Sequence, residues 1–161
     1  MHNPLFSAYS GEKLELDGVV GEIEKFVSSD ETRRYKLFVG TDSEKNGNGT
    51  TEFVTAIVIY RVGNGGRYFW KRTEKGPFYI LRDRIVQEVL FSLEAGRELV
   101  EALRQSEAVK EFHIEIHADI GENGATRTMM QEVIGMIRAY NFEPKTKPES
   151  YAASSVADKY T

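Results

Sequence analysis

Cysteine is absent from this sequence, which excludes disulfides and thiolate metal sites and points to an intracellular, cytoplasmic setting. Long apolar runs are absent too. The longest, Ala56 to Tyr60, falls far short of the ~20 residues a membrane-spanning helix needs. Met1-His2-Asn3-Pro4 shows no basic stretch leading into an apolar one, so no signal peptide is expected. Positive charge is not in excess: 21 lysines and arginines against 25 aspartates and glutamates leave a net charge of −4. A protein held to nucleic acid mainly by electrostatics usually reads as strongly basic, so that class is disfavoured. A metal-dependent nuclease stays open, because its clustered carboxylates count as acidic until cations occupy them. No internal repeat or low-complexity tract is present. A chain of 161 residues suits one domain, 1–161, able to bury roughly 70% of its unfolded surface. Residues 1–15 are expected to be a poorly structured lead-in.

What is present is periodicity. Leu16, Val19, Val20, Ile23 and Val27 recur at helical spacing, predicting an amphipathic helix over 17–28. Tyr35 to Asp42 reads as a strand. Asn46-Gly47-Asn48-Gly49 is a turn signal before a β-branched strand from Glu52 to Val62, and Gly63-Asn64-Gly65-Gly66 turns again into Arg67 to Thr73. These three strands should form an antiparallel meander. A long helix over 82–105 carries Ile85, Val89, Leu93, Leu99, Val100 and Leu103 on its apolar stripe. Phe112 to Asp119 is a fourth strand, Thr126 to Tyr140 a further helix, and Phe142 to Lys147 a short fifth strand. Thr126 or Thr128 should cap that helix, and Thr128 with Gln131 matches a capping box. Pro148 then opens a terminal helix, where its missing N–H costs nothing. Strands joined by helical crossovers pair in parallel beneath covering helices. An α/β fold (α+β, with a mixed sheet) is expected.

Two of these strands end in aspartate, Asp42 and Asp119, and a third aspartate, Asp158, sits in the alanine-rich terminal helix. Carboxylates brought from separate elements can converge into the oxygen-only cluster that hard divalent cations need. Gly40 precedes Asp42 on the same strand face and leaves space beside it. His113, Glu115, His117 and Asp119 share one face of the fourth strand. A central strand should be apolar on both faces, so that face is expected to be incompletely covered or to border a site. Asp158 lies in the last helical turn, where the macrodipole disfavours an anion by roughly 0.3–1 kcal/mol. Residues that break a local rule are candidates for function.

The motifs Gly40-Thr41-Asp42-Ser43, His117-Ala118-Asp119-Ile120-Gly121 with Gly124-Ala125-Thr126-Arg127, and Lys147-Pro148-Glu149-Ser150-Tyr151-Ala152-Ala153 with Ala157-Asp158-Lys159 resemble, in order and spacing, those of the YkuK-type family of uncharacterised ribonuclease H-like proteins. The resemblance covers nearly everything from Leu16 onward. It implies a five-stranded mixed sheet ordered 3-2-1-4-5, with helices on both faces, an extra N-terminal helix, and an acidic site where strands one and four lie side by side. It also implies a metal-dependent nuclease that cleaves phosphodiester bonds of nucleic acid with two magnesium or manganese ions. Asp42 would bridge both ions, a helical glutamate and Asp119 would serve one, and Asp158 the other. Four glutamates compete for the helical role. At about 100° per residue, Glu88 flanks the buried stripe, whereas Glu94, Glu98 and Glu101 fall on the solvent side. Glu88 is the expected ligand.

Substrate contacts are expected from Ser43, His117, Thr126, Arg127 and Lys147. The amide-rich helix start at Thr126 could hold a phosphate, and Lys147 could neutralise one near Asp158. His117 could equally be a hydrogen-bonded histidine. Lys71, Arg72, Lys75, Arg82 and Arg84, interleaved with Tyr68 and Trp70, read either as a backbone-tracking groove with stacking platforms or as the charged face of a hairpin. Two other functions compete. One is a non-catalytic nucleic-acid-binding module. The other is ATP-dependent phosphotransfer, since Asp119 to Thr126 resembles the phosphate loop of actin-like ATPases. In those proteins, however, the loop joins two strands of a hairpin, and here it should open a helix.

Overall fold

The β-branched alternation from Tyr35 onward becomes three long strands: β3 (Tyr35–Lys45), β4 (Thr51–Arg61) and β5 (Gly66–Lys75). They are seen in a computed structural model of the chain that describes residues 5–109, 111–150 and 152. The three pair antiparallel, Tyr35 opposite Arg61 and Thr51 opposite Lys75. Gly49 makes the first reversal possible with φ +90°, a conformation that side chains disfavour. β6 (Ile114–His117) joins β3 in parallel, Gly40 opposite His117, and β7 (Glu143–Lys145) joins β6 in parallel.

The sheet runs β2-β1-β5-β4-β3-β6-β7. The five strands from β5 to the β7 edge follow the expected order, but the strand count does not. β1 (Phe6–Ala8) and β2 (Lys13–Leu14) come from residues expected to be a poorly structured lead-in. Phe6 supplies the reason. Its ring is buried beneath the Lys71 ammonium, while Ser7 and Ala8 pair with Trp70 and Phe69. The lead-in therefore covers a β5 edge that would otherwise expose unpaired backbone groups.

Helices α1 (Leu16–Ser28), α2 (Leu81–Leu103) and α3 (Met130–Ala139) all contribute to one core with Leu37, Val39, Ile57, Ile59, Ile114 and Ile116. The two-residue period of the strands turns the intervening side chains to the other face. There Phe38, Val54, Ala56, Val58 and Ala152 form a smaller cluster flanked by Tyr68 and Trp70. Most of the expected terminal helix, from 153 onward, lies outside the described residues. Among the described residues no helix is long and apolar enough to cross a membrane.

Two local expectations fail. The fourth strand spans four residues rather than Phe112 to Asp119. The helix expected from Thr126 begins as a 3-10 turn, Arg127–Met129, and neither that turn nor α3 has a side-chain cap. Thr126 is already near-helical at φ −92°, ψ −3°, and its Oγ1 turns back to accept the Gly121 N–H at 3.3 Å. The threonine closes the preceding loop instead of capping the helix.

Gly96 sets how closely α2 approaches the sheet. A β-carbon there would meet Phe142 Cζ at 3.1 Å and Ile116 Cδ1 at 3.2 Å. Gly96→Val is therefore expected to lower stability by about 1–3 kcal/mol through overpacking, read as a lower unfolding midpoint. An unchanged midpoint would show that α2 sits further from β6.

Candidate functional site

Asp42 and Asp119 each lie two residues beyond the Gly40–His117 pairing of the adjacent parallel strands. Both are partly buried. Asp42 pairs across the ladder with Val54, whose side chain belongs to the smaller cluster, so alternation places Asp42 on that face. Thr41 and Ser43 turn the other way, toward α2. Thr41 Oγ1 lies 2.7 Å from Ser92 Oγ and 3.1 Å from Thr55 Oγ1. Ser43 Oγ donates to Glu88 Oε2 at 2.5 Å. This ladder of hydroxyls holds the end of β3 against α2.

Glu88 is buried in the second turn of α2, as its place beside the apolar stripe predicts, whereas Glu94 and Glu101 are exposed and Glu98 is half-buried. Burial pushes its carboxyl up to about 8, against the Ser43 hydrogen bond, and the charges of Asp42 and Asp119 push the same way. Arg84 opposes them. At neutral pH Glu88 holds its proton. Arg84 is a participant that the sequence reading assigned only to a basic cluster. Its spacing of four residues from Glu88 on the same helix was the available signal.

Asp119 carries an orphaned atom. Its Oδ1 is buried and has no hydrogen-bond partner, although Lys147 Nζ approaches to 3.3 Å. The distance is that of an ion pair; the angle makes no hydrogen bond. A buried carboxylate oxygen left this way carries a desolvation cost that a cation could offset. Lys147, expected to neutralise a phosphate near Asp158, lies beside Asp119. Asp158 lies outside the described residues.

His117 is 3% exposed and stacks on Phe38 with ring centroids 4.3 Å apart. Its Nδ1 accepts the Ala152 N–H at 3.0 Å, so the ring proton sits on Nε2, which donates to Glu115 Oε1 at 3.0 Å. That hydrogen bond is the main reason Glu115 is held below its usual range. On the polar face of the fourth strand His117 is thus covered and satisfied, whereas Glu115 and Asp119 are half-buried and His113 is exposed. His117 ties the chain near Ala152 to the sheet, with both ring nitrogens engaged inside the protein. His117→Leu would orphan the Ala152 amide and the Glu115 carboxylate, and is expected to cost about 1–3 kcal/mol, measured by denaturant unfolding. A variant as stable as the parent would dismiss this clamp.

Arg127 is exposed and lines a hollow of about 480 Å³ with Glu122, Asn123, Met130 and Gln131. The loop from Asp119 leads into helix, as expected, and not into a second hairpin strand. The basic residues around β5 do not make one face. Lys71 and Lys75 lie over Phe6 and Phe91 on the helix side. Tyr68 and Trp70 pack on the smaller cluster, and Arg72 pairs with Glu52. Arg82 pairs with Glu132 and Asp83. Strand alternation sets Lys71 and Lys75 on one face of β5 and Tyr68, Trp70 and Arg72 on the other.

Among the described residues no three histidine, aspartate or glutamate side chains gather closely enough to hold a metal ion. The donor chemistry nevertheless fits a hard divalent cation. It offers carboxylates only, one with a buried oxygen lacking a hydrogen bond, and another held protonated in part by repulsion from its two neighbours.

A model of the family described as Ribonuclease H-like matches residues 18–161. The chain is also 30% identical, over 167 aligned positions, to a Bacillus subtilis (strain 168) protein named Uncharacterized protein YkuK. That alignment takes in 98% of this chain and 96% of the relative. No solved structure matches it.

Proposed function

Because this chain belongs to the ribonuclease H-like family, we propose that it is a metal-dependent nuclease hydrolysing phosphodiester bonds of nucleic acid. Asp42, Glu88, Asp119 and Asp158 would hold two magnesium or manganese ions, with Asp42 shared between them, Glu88 and Asp119 serving one and Asp158 the other. The observation that carries this reading is the buried Asp119 oxygen without a hydrogen bond, two residues past the strand that pairs with that of Asp42. Divalent ions bound there would supply charge neutralisation of the phosphodiester and activation of the attacking water.

The chain's own groups do the positioning. Thr41, Thr55 and Ser92 lock the end of β3, so the backbone bearing Asp42 cannot drift. Ser43 aims the Glu88 carboxyl, which would have to give up its proton to serve as a metal ligand. Lys147, an exposed cation against Asp119, and Arg127, exposed at the start of the helix that follows, would attract the substrate backbone; Thr126 would serve there only through its turn.

The test is a cleavage panel of RNA, DNA, RNA–DNA hybrid and branched junction with manganese, run beside Asp42→Asn. Metal-dependent cleavage lost in the variant supports the nuclease. Equal cleavage by both proteins, or no cleavage of any substrate, removes it. A second reading, a non-catalytic nucleic-acid-binding module, is favoured by the absence of a closed three-carboxylate group among the described residues. Calorimetry separates the two: coupled binding of two manganese ions belongs to the enzyme, one weak event or none to the module.

A further inference from the structure

We propose that Lys147 is the resident counter-ion of Asp119, supplying with its own ammonium the charge that a divalent cation would otherwise supply, and turning to a substrate phosphate once Asp119 is engaged elsewhere. The inference rests on the acidic residues being a metal site.

The placement of Lys147 is built by main chain, not by its ammonium. The Lys147 N–H donates to the Ile120 carbonyl at 2.7 Å, and the Ala118 N–H donates to the Lys145 carbonyl at 2.9 Å. The segment after β7 therefore tracks the segment after β6, backbone against backbone. The Glu149 N–H closes a turn onto the Thr146 carbonyl at 2.7 Å, which fixes the chain on the far side of Lys147. Gly121 makes room for the lysine stem, since a β-carbon there would meet Lys147 Cβ at 3.1 Å. With the backbone held this way, the ammonium can leave Asp119 without loosening the fold.

The ammonium is poised to leave. The Lys147 side chain is 55% exposed, and its contact to Asp119 Oδ1 has the distance of an ion pair without a hydrogen bond. Lysine is a compact charge on a flexible stem with rotatable donors, suited to moving between partners. The other lysine of this segment is occupied elsewhere. Lys145 lies 3.3 Å from Glu143 and 3.8 Å from Glu149. The oxygen that Lys147 balances is also the orphaned oxygen best suited to a hard cation, so lysine and metal compete for one atom.

Calorimetric titration of manganese into the full chain tests this with Lys147→Gln and Lys147→Arg. Lys147→Gln is expected to bind manganese about three- to tenfold more tightly, the scale of removing one partly exposed charge from beside a cation site. Lys147→Arg, which keeps the charge, should bind as the parent does. With manganese present, Lys147→Gln should hold a short oligonucleotide more weakly and with a salt slope smaller by about 1. A purely structural ion pair would lower the unfolding midpoint and leave metal affinity alone. Unchanged or weaker manganese binding by Lys147→Gln, or tighter binding by Lys147→Arg as well, overturns the counter-ion role and leaves the metal site standing. If neither parent nor variants bind manganese, the metal site itself fails, and this inference with it.

Discussion

Asp42→Asn is expected to lower metal-dependent cleavage by at least about 1000-fold while shifting the thermal midpoint by no more than about 2 °C. The two effects separate because the side chains are isosteric and differ in charge. Asp42 is partly buried at the end of β3, where its backbone stays paired with Val54. The neighbouring hydroxyl ladder of Thr41, Thr55 and Ser92 belongs to the opposite face and does not depend on the carboxylate. What the substitution removes is negative charge, shared in the proposed mechanism by two ions. A second readout comes with it. The Asp42 charge is one of the causes that raise Glu88, so Glu88 should ionise at lower pH in the variant. Cleavage at the parental rate would end the proposed role of Asp42. An unmoved Glu88 would show the two carboxyls to be electrostatically independent.

Glu88→Gln has the other large expected effect, and it is a matter of pH. The folded chain holds the Glu88 proton up to about 8, against an ordinary value of 4.5. Below pH 4.5 the carboxyl is protonated in both folded and unfolded chains, and burial costs nothing extra. Between these values the folded chain alone keeps the proton, so stability falls as pH rises. Above about 8 the full cost of a buried charge remains. Gln keeps the shape and an acceptor for Ser43 but cannot ionise. The variant should match the parent near pH 4.5 and exceed it near pH 9 by on the order of 3–5 kcal/mol. Thermal or denaturant unfolding across that range measures the difference. Manganese should flatten the parental curve if Glu88 belongs to a cation site. Parallel pH curves for the two proteins would mean that Glu88 is not buried as described.

Much of this was readable residue by residue. Ile85, Val89 and Leu103 mark the buried side of α2, and Glu88 beside them is buried as that stripe requires. The glycine-rich reversals around Asn46 and Asn64 predict the meander, and the crossovers predict parallel pairing of β3, β6 and β7. The partners of His117 were not readable. Its Ala152 bond joins residues 35 positions apart, and no local pattern reports it. Phe6 was missed for a similar reason: a three-residue strand is too short to show a period, and the β5 edge that recruits it lies far along the chain. Thr128 with Gln131 shows the opposite failure, a sound local signal overruled when the chain entered α3 through a tighter turn.

The linear order of residues was enough to specify the elements, their succession, the parallel ladder and the acidic positions of interest, because helical and strand periods and turn glycines act between near neighbours. Folding in three dimensions was needed to settle which side of the sheet each group occupies. It sends Glu88 in from the helix-covered face and Asp42 to the other, seals His117 beneath Ala152, and brings Lys147 to Asp119. Those outcomes depend on strand register and on distant segments packing over each face, and neither is written in any short stretch of chain.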